Sequence, residues 1–328
     1  MKLLTISIAG YNIESYIHQT LDSLICRHID QLEIFVVDDG GNDHTLEIAQ
    51  SYAKKYPNSI IPVHKENGGW GSTVNYSISH ATGKYFKLLD GDDFFDTASL
   101  DGLLEHLEAI DSDVIYTPYT QYDDEAKKNV KDFDISSNYE LYTTYNLYKI
   151  NPKFGLDMHA VMFKTSILKN NQVRITEKCF YTDNEYRTKG LAYSQTILFT
   201  NLSLYRYRIG REGQSVDLTG LKKHYKDSIQ AAKALITFHQ SLHSHIPPYI
   251  NECVKNGVRF AFWTLIVLDL KDEFCAFNKY TQQAGTPYYE AGDIIVRLLR
   301  TLHFNIFSPI AFLTKMKYTI AIKVKRLL

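Results

Sequence analysis

The chain has 328 residues, 45% hydrophobic and 22% charged, a globular composition with room for one large domain or two smaller ones. Lys and Arg number 36 against 37 Asp and Glu, and the net charge of −1 supplies no basic field to recruit nucleic acid. Cys26, Cys179, Cys253 and Cys275 are scattered singly, which argues against a structural zinc site or a disulfide framework and for reduced, mostly buried thiols in a cytoplasmic protein.

The apolar run at 3–8 reads as a buried first strand, since no cleavage site of a secretory leader follows it. A helix is expected over 15–27, where Tyr16, Ile17, Leu21, Leu24 and Ile25 fall at helical spacing. A second strand (32–37), a second helix (43–56) and a third strand (60–64) follow. A helix over 71–81, a strand over 84–89, a helix over 97–110 and a strand over 114–117 continue the alternation. This pattern predicts an α/β fold with a mostly parallel sheet covered by helices, whose ligands bind beyond the carboxyl ends of the strands. The residues at those ends are Gly10, Tyr11 and Asn12; Asp38 to Gly41; Glu66 to Gly69; and Asp90 to Asp93, a polar, glycine-rich and acidic set.

Residues 119–150 break the alternation and read as an insertion. Tyr139, Tyr142, Tyr145 and Tyr148 recur every third residue, which predicts four rings along one helix face, for packing ahead of stacking on acceptor sugars. Residues 155–210 read as strands that complete the first domain, and from 219 to about 302 the pattern is helical. The longest apolar stretch, 260–268, is too short for a bilayer, which needs about 20 residues. The tail, 316–328, mixes apolar residues with Lys317, Lys323, Lys325 and Arg326. It reads equally as a peripheral membrane contact and as an ordinary helix or strand with solvated lysines.

Asp90, Gly91, Asp92 and Asp93 place three carboxylates in four residues after an apolar strand. Like charges this close oppose ionisation, and a cation removes the penalty; oxygen ligands favour Mg²⁺ or Mn²⁺. A solvated turn is the plainer reading of Asp and Gly together. Asp39 is placed to accept a hydrogen bond from a uracil N3–H, and Tyr11 to stack on the base. Asn67, Gly68 and Gly69 precede a helix, where glycine permits close approach and the helix N-terminus favours an anion such as a phosphate. The chain has neither GxGxxG after its first strand nor GxxxxGK[ST], which argues against a dinucleotide-binding fold and a P-loop.

Taken together, Tyr11-Asn12, Val37 to Gly40, Asn67 to Gly69, Gly83 to Tyr85 and Leu89 to Asp93 resemble family 2 glycosyltransferases with the GT-A fold. The stretches 158–165, 180–184 and 205–216 are similar to a bacterial branch of that family that adds single sugars to surface glycans or glycoproteins. The resemblance implies a GT-A catalytic domain over 1–217, with a nucleotide-sugar half (1–118) and an acceptor half (119–217), and a helical add-on domain over 218–328. It implies that Tyr11 and Asp39 hold uracil and that Asp90 contacts the ribose or donor sugar. Gly91 joins Asp90 to Asp92, which binds the metal that bridges the diphosphate. Asn67 and Gly68 belong to the donor site, Arg211, Gln214 and Ser215 lie where a loop closes over the diphosphate or acceptor, Asp183 is the catalytic base, and His159 joins Asp183 on the acceptor side. Two positions depart from the family pattern: Ala9 replaces a proline, and Thr182 replaces the Glu before the base. The QxxRW motif of processive relatives is absent, which implies single-sugar addition.

The expected reaction is inverting transfer of one hexose, galactose or glucose, from a UDP-sugar to a hydroxyl of a glycan or glycoprotein acceptor, at the inner face of the membrane. A sugar nucleotidyltransferase would open with a glycine- and arginine-rich loop where Ala9 to Asn12 stand. A non-catalytic nucleotide-sugar or glycan-binding protein would have lost its acids.

Overall fold

The computed structural model describes residues 2–150, 155–210, 217–242 and 246–327, with side chains up to residue 319. The chain divides into two compact units, Met1–Arg211 and Glu212–Leu328.

The first unit alternates strand and helix through β1 (Leu4–Gly10), α1 (Glu14–Asp22), β2 (Leu32–Asp38), α2 (Thr45–Lys55), β3 (Ile60–His64), α3 (Trp70–His80) and β4 (Tyr85–Asp90). It continues through β5 (Phe94–Phe95), α4 (Thr97–Leu107), β6 (Val114–Tyr116), β7 (Tyr119–Asp123), β8 (Lys128–Phe133) and β9 (Thr144–Asn146). β10 (Val161–Lys164), α5 (Thr165–Asn170), α6 (Asp183–Ala192), β11 (Thr196–Phe199) and β12 (Tyr205–Ile209) complete it. Every residue of β2 is buried, as a strand covered on both faces requires.

The main sheet runs β3-β2-β1-β4-β10-β6-β11-β9. β1 to β4 are mutually parallel, and β10 enters antiparallel between β4 and β6. In register, Gly10 stands opposite Asp38, and Ala9 stands opposite both Val37 and Asp90. Three carboxyl ends therefore finish side by side, and the loops that follow them share one edge of the sheet. A second sheet, β5-β12-β7-β8, stands beside it.

Residues 119–150 are not a separate insertion. β7 and β8 belong to the second sheet, and β9 forms the edge of the main one. The tyrosines lie on no helix. Tyr139 stacks on Phe199 with ring centroids 3.8 Å apart, Tyr145 sits in β9, and Tyr142 takes a left-handed φ of 59°. Thr143, Thr144 and Asn146 resist helix formation through branching and local side-chain hydrogen bonds, and the ring spacing does not outweigh them.

The second unit is helical: α7 (Leu218–Ser241), α8 (Pro248–Val267), α9 (Lys271–Ala284), α10 (Thr286–Tyr289), α11 (Ile294–Thr301) and α12 (Phe307–Leu327). Asp217 and Asp293 cap α7 and α11 through Gly220 N–H and Val296 N–H. Its core gathers Leu235, Val258, Phe262, Leu265, Phe274 and Phe277. The tail from 316 onward lies in α12. Among the described residues, no helix is long and apolar enough to cross a membrane. Cys26, Cys179 and Cys253 are buried free thiols, and Cys275 is half-buried.

Candidate active site

Tyr11, directly after β1, is 54% exposed, and its ring is available to a planar ligand. Asp39 is buried, and both its oxygens are engaged. Oδ1 accepts from Gly68 N–H (2.9 Å), Lys65 Nζ (2.7 Å) and Ser72 Oγ (3.2 Å), and Oδ2 accepts from Gly69 N–H (2.7 Å). The anion at the start of α3 is thus a carboxylate of the chain itself. Gly69, with φ 78°, supplies the turn. Gly68 N–H, expected to face phosphate, is committed to Asp39, while Asn67 beside it is exposed. Trp70, which sequence reasoning did not single out, carries the loop to the acidic turn by donating from Nε1 to Asp90 Oδ1 at 2.8 Å.

The acidic turn is held from three sides. Thr20 Oγ1 donates to the carbonyls of Gly91 (3.0 Å) and Asp93 (2.7 Å). A Cβ at Gly91 would stand 2.6 Å from Ala9 O, so β1 and the turn approach as closely as only glycine allows. From β12, Tyr205 Oη donates to Asp93 Oδ2 (2.6 Å) and accepts from Asp90 N–H (3.1 Å), while Arg208 N–H donates to Asp93 Oδ1 (2.7 Å). The Arg208 guanidinium is buried. It donates to Asp92 O (2.5 Å), Gln19 Oε1 (2.7 Å) and Asp124 Oδ1, under the rings of Tyr16, Phe94 and Tyr122. Burial raises the pKa of Asp93 well above the usual carboxylate value, and Asp92 and Asp90 add to the rise. With both oxygens bonded, Asp93 anchors the turn.

Sequence placed the metal at Asp92. Among the described residues, the group of three metal-ligating side chains that the structure gathers is Asp90, Asp93 and His159, their ligand atoms within 4.8 Å of one another. His159, expected on the acceptor side, therefore lies against the acidic turn. Its ring sits among Tyr119, Tyr205 and Tyr207, with centroids 4.6–5.1 Å away. Burial lowers its pKa to about 4, so the imidazole is neutral at physiological pH. Its buried Nδ1 has no hydrogen-bond partner among the described residues, a cost that a bound cation or a water relieves. Behind it, Lys87 is fully buried and donates to the carbonyls of His159 (2.9 Å) and Val161 (3.3 Å); burial brings its pKa down to about 7.

Asp183 is the first residue of α6, exposed yet ringed by protein. That crowding raises its pKa, and Arg187, one turn along, pulls it back down. Glu185 is fully buried and paired with Lys189 at 2.6 Å, so it is structural. The Tyr207 hydroxyl pKa is raised by burial and then by the charges of Asp93, Asp90, Asp92 and Asp183. Arg211, Gln214 and Ser215 lie outside the described residues.

The family model for glycosyl transferase family 2 matches residues 5–171. The chain belongs to glycosyltransferase family 2. This family 2 chain is 24% identical over 315 residues to the minor teichoic acid biosynthesis protein GgaB of Bacillus subtilis, covering 92% of itself and 34% of that protein. It is 36% identical over 115 residues to the uncharacterised glycosyltransferase EpsJ of B. subtilis, covering 35% of itself and 33% of that protein. It thus spans about a third of the length of these curated relatives. Among solved structures it is similar to S. aureus TarS 1–349 in complex with UDP-GlcNAc, with TM-score 0.68, 18% identity, and 98% and 92% of the two chains covered. It is also similar to the mannosyltransferase PcManGT of Pyrobaculum calidifontis in complex with GDP-Man and Mn²⁺, with TM-score 0.52, 17% identity, and 99% and 86% covered. The catalytic fold is GT-A, followed by a helical C-terminal region.

Arg187 also pairs with Asp157 (2.7 Å) and bonds Asn184 (2.6 Å). Replacing it by glutamine removes the cation that lowers the Asp183 pKa and leaves Asp157 to raise it. A base works deprotonated, so activity is present above its pKa and lost as pH falls through it. In R187Q the acidic limb of the pH–rate profile for donor turnover is expected to move to higher pH. An unmoved limb would detach Asp183 from the rate.

Proposed function

We propose that this family 2 chain transfers a single hexose, galactose or glucose, with inversion, from a UDP-sugar to a hydroxyl of a cell-surface polysaccharide or glycoprotein glycan. The observation that carries the reading is the anchored acidic turn at the carboxyl end of β4, where ligand atoms of Asp90, Asp93 and His159 lie within 4.8 Å of one another. The TarS complexes with UDP-GlcNAc and UDP support a uridine donor, and the printed name of GgaB supports a surface glycan. Residues 1–118 take the donor and 119–217 the acceptor. The cytoplasm, at the inner membrane face, is the place of action; the free thiols agree with a reducing compartment.

In this reading Asp183 accepts the proton of the acceptor hydroxyl as it attacks the anomeric carbon opposite the leaving UDP. Tyr11 stacks on uracil and Asp39 accepts from its N3–H, while Asp39 also fixes the loop from Lys65 to Ser72 that carries Asn67. Asp90 meets the ribose or sugar, and Arg211, Gln214 and Ser215 meet the diphosphate. The site fits a divalent cation, Mn²⁺ or Mg²⁺: Asp90, Asp93 and the neutral His159 bring oxygen and nitrogen donors within 4.8 Å of one another, Asp93 already accepting from Tyr205 and Arg208, and Asp92, the ligand expected from sequence, stands in the same turn. Such an ion, when bound, supplies positive charge against the leaving diphosphate.

UDP release from a panel of UDP-sugars, with Mn²⁺, with Mg²⁺ and with EDTA, tests this. Release from one donor, abolished by EDTA and made insensitive to metal by Asp92→Ala, is expected. No release from any donor, with no UDP binding by calorimetry, would overturn it.

A further inference from the structure

Charge is segregated along this chain. Residues 294–328 carry seven cations, Arg297, Arg300, Lys315, Lys317, Lys323, Lys325 and Arg326, and no Asp or Glu, whereas the chain as a whole nets −1. In the structure these residues form α11 and α12, each of which buries one face in the helical core and turns large apolar residues outward. On α11, Val296 and Leu299 are buried, while Ile294 (81% exposed), Leu298 and Leu302 follow one another at four-residue spacing. On α12, Phe307 and Ala311 are buried, while Phe312 (67% exposed), Leu313 and Met316 face solvent. At about 100° per residue, Phe312, Met316 and Leu313 span one arc, with exposed Lys315 and Lys317 flanking it on either side. Arg297 flanks the α11 stripe in the same way. Arg300 turns inward to Asn278 and to Tyr289 O.

We propose that these outer faces of α11 and α12 are a docking surface for an anionic lipid bilayer. An apolar arc edged by cations is the pattern of a helix that lies in the membrane interface, its apolar side chains in the acyl boundary and its lysines among headgroups. The charge decides the occupant. A second copy seated on the same face would set cations against cations, whereas a phospholipid surface supplies the opposite charge and the apolar boundary together. Each lysine near such a surface strengthens binding about fivefold at low salt, and salt screens the gain. The surface would hold the enzyme where lipid-borne acceptors are presented, but it does not depend on the sugar chemistry.

Sedimentation of the full chain with vesicles of phosphatidylcholine alone, and of phosphatidylcholine with one-third phosphatidylglycerol, is the test. Binding to the anionic vesicles only, weakened by salt, is expected. K315E/K317E should weaken it about tenfold or more, and F312S/L313S should abolish the salt-resistant part. Both variants should keep the wild-type melting temperature and donor-hydrolysis rate, which separates this result from the catalytic reading. Absence of vesicle binding, equal binding to neutral vesicles, or indifference to both variants would overturn the proposal. So would variants that shift a monomer–dimer equilibrium and leave vesicle binding untouched, since that would assign the face to a second copy.

Discussion

Asp183→Asn is expected to lower turnover by about 10²- to 10⁴-fold, the usual contribution of a positioned general base, while UDP binds with nearly wild-type affinity. The separation follows from placement. Asp183 begins α6, outside the loops after β1, β2 and β4 that are expected to hold the nucleotide, and asparagine keeps its shape. What it loses is a carboxylate whose proton affinity is raised by crowding, and therefore its ability to take a proton from a hydroxyl. Single-turnover rates with donor and acceptor, alongside UDP calorimetry, give both numbers. Near-wild-type turnover would remove Asp183 from the chemistry, and Glu185, already committed to Lys189 in the core, would be a poor substitute.

Arg208→Met should cost about 2–3 kcal/mol of stability, the usual loss for a buried cation's hydrogen bonds when its partner carboxylate keeps a second cation. For a unit of this size that is a melting temperature lower by about 5–10 °C. The guanidinium serves Asp124, Gln19 and the carbonyl of Asp92 at once, so methionine leaves half-buried Asp124 to Lys127 alone and takes a donor from the Asp92 carbonyl. Because one of those partners is the backbone of the acidic turn, the metal concentration for half-maximal donor hydrolysis should rise as well. Arg208→Lys should recover little of either, since a single ammonium nitrogen cannot reach acceptors that three separate guanidinium nitrogens now serve. A melting temperature unchanged in Arg208→Met would show that the network is no more than a crowd of neighbours.

Much of this was legible in the residues. The strands of the parallel half announce themselves as short apolar runs, and the polar loops at their ends announce a site, because both follow from burial on two faces and from the rule that ligands lie at carboxyl ends. The acidic turn was visible for the same reason. Its anchor was not: Tyr205 and Arg208 stand more than a hundred positions away, and nothing local in a Tyr-Arg-Tyr-Arg strand says which carboxylate it will hold. Asp39 was read as a ligand group because it follows a strand, yet its first duty is to the backbone of Gly68 and Gly69. The tyrosines of 139–148 misled because ring spacing alone does not make a helix: Tyr139 and Tyr145 pack on Phe199, whereas Tyr142 packs on His106.

The position of β10 has a further consequence, for how the chain comes to be folded. β4 and β6 are made early and are not neighbours; the strand between them is drawn from residues 161–164. Until that stretch leaves the ribosome, the nascent sheet has two raw edges facing a gap, with buried-type side chains and unspent amide groups on both. Residues 1–118 can therefore not be cut out as a free-standing piece. A truncation there should aggregate, and refolding of the intact unit should be limited by the late, long-range insertion of one four-residue strand.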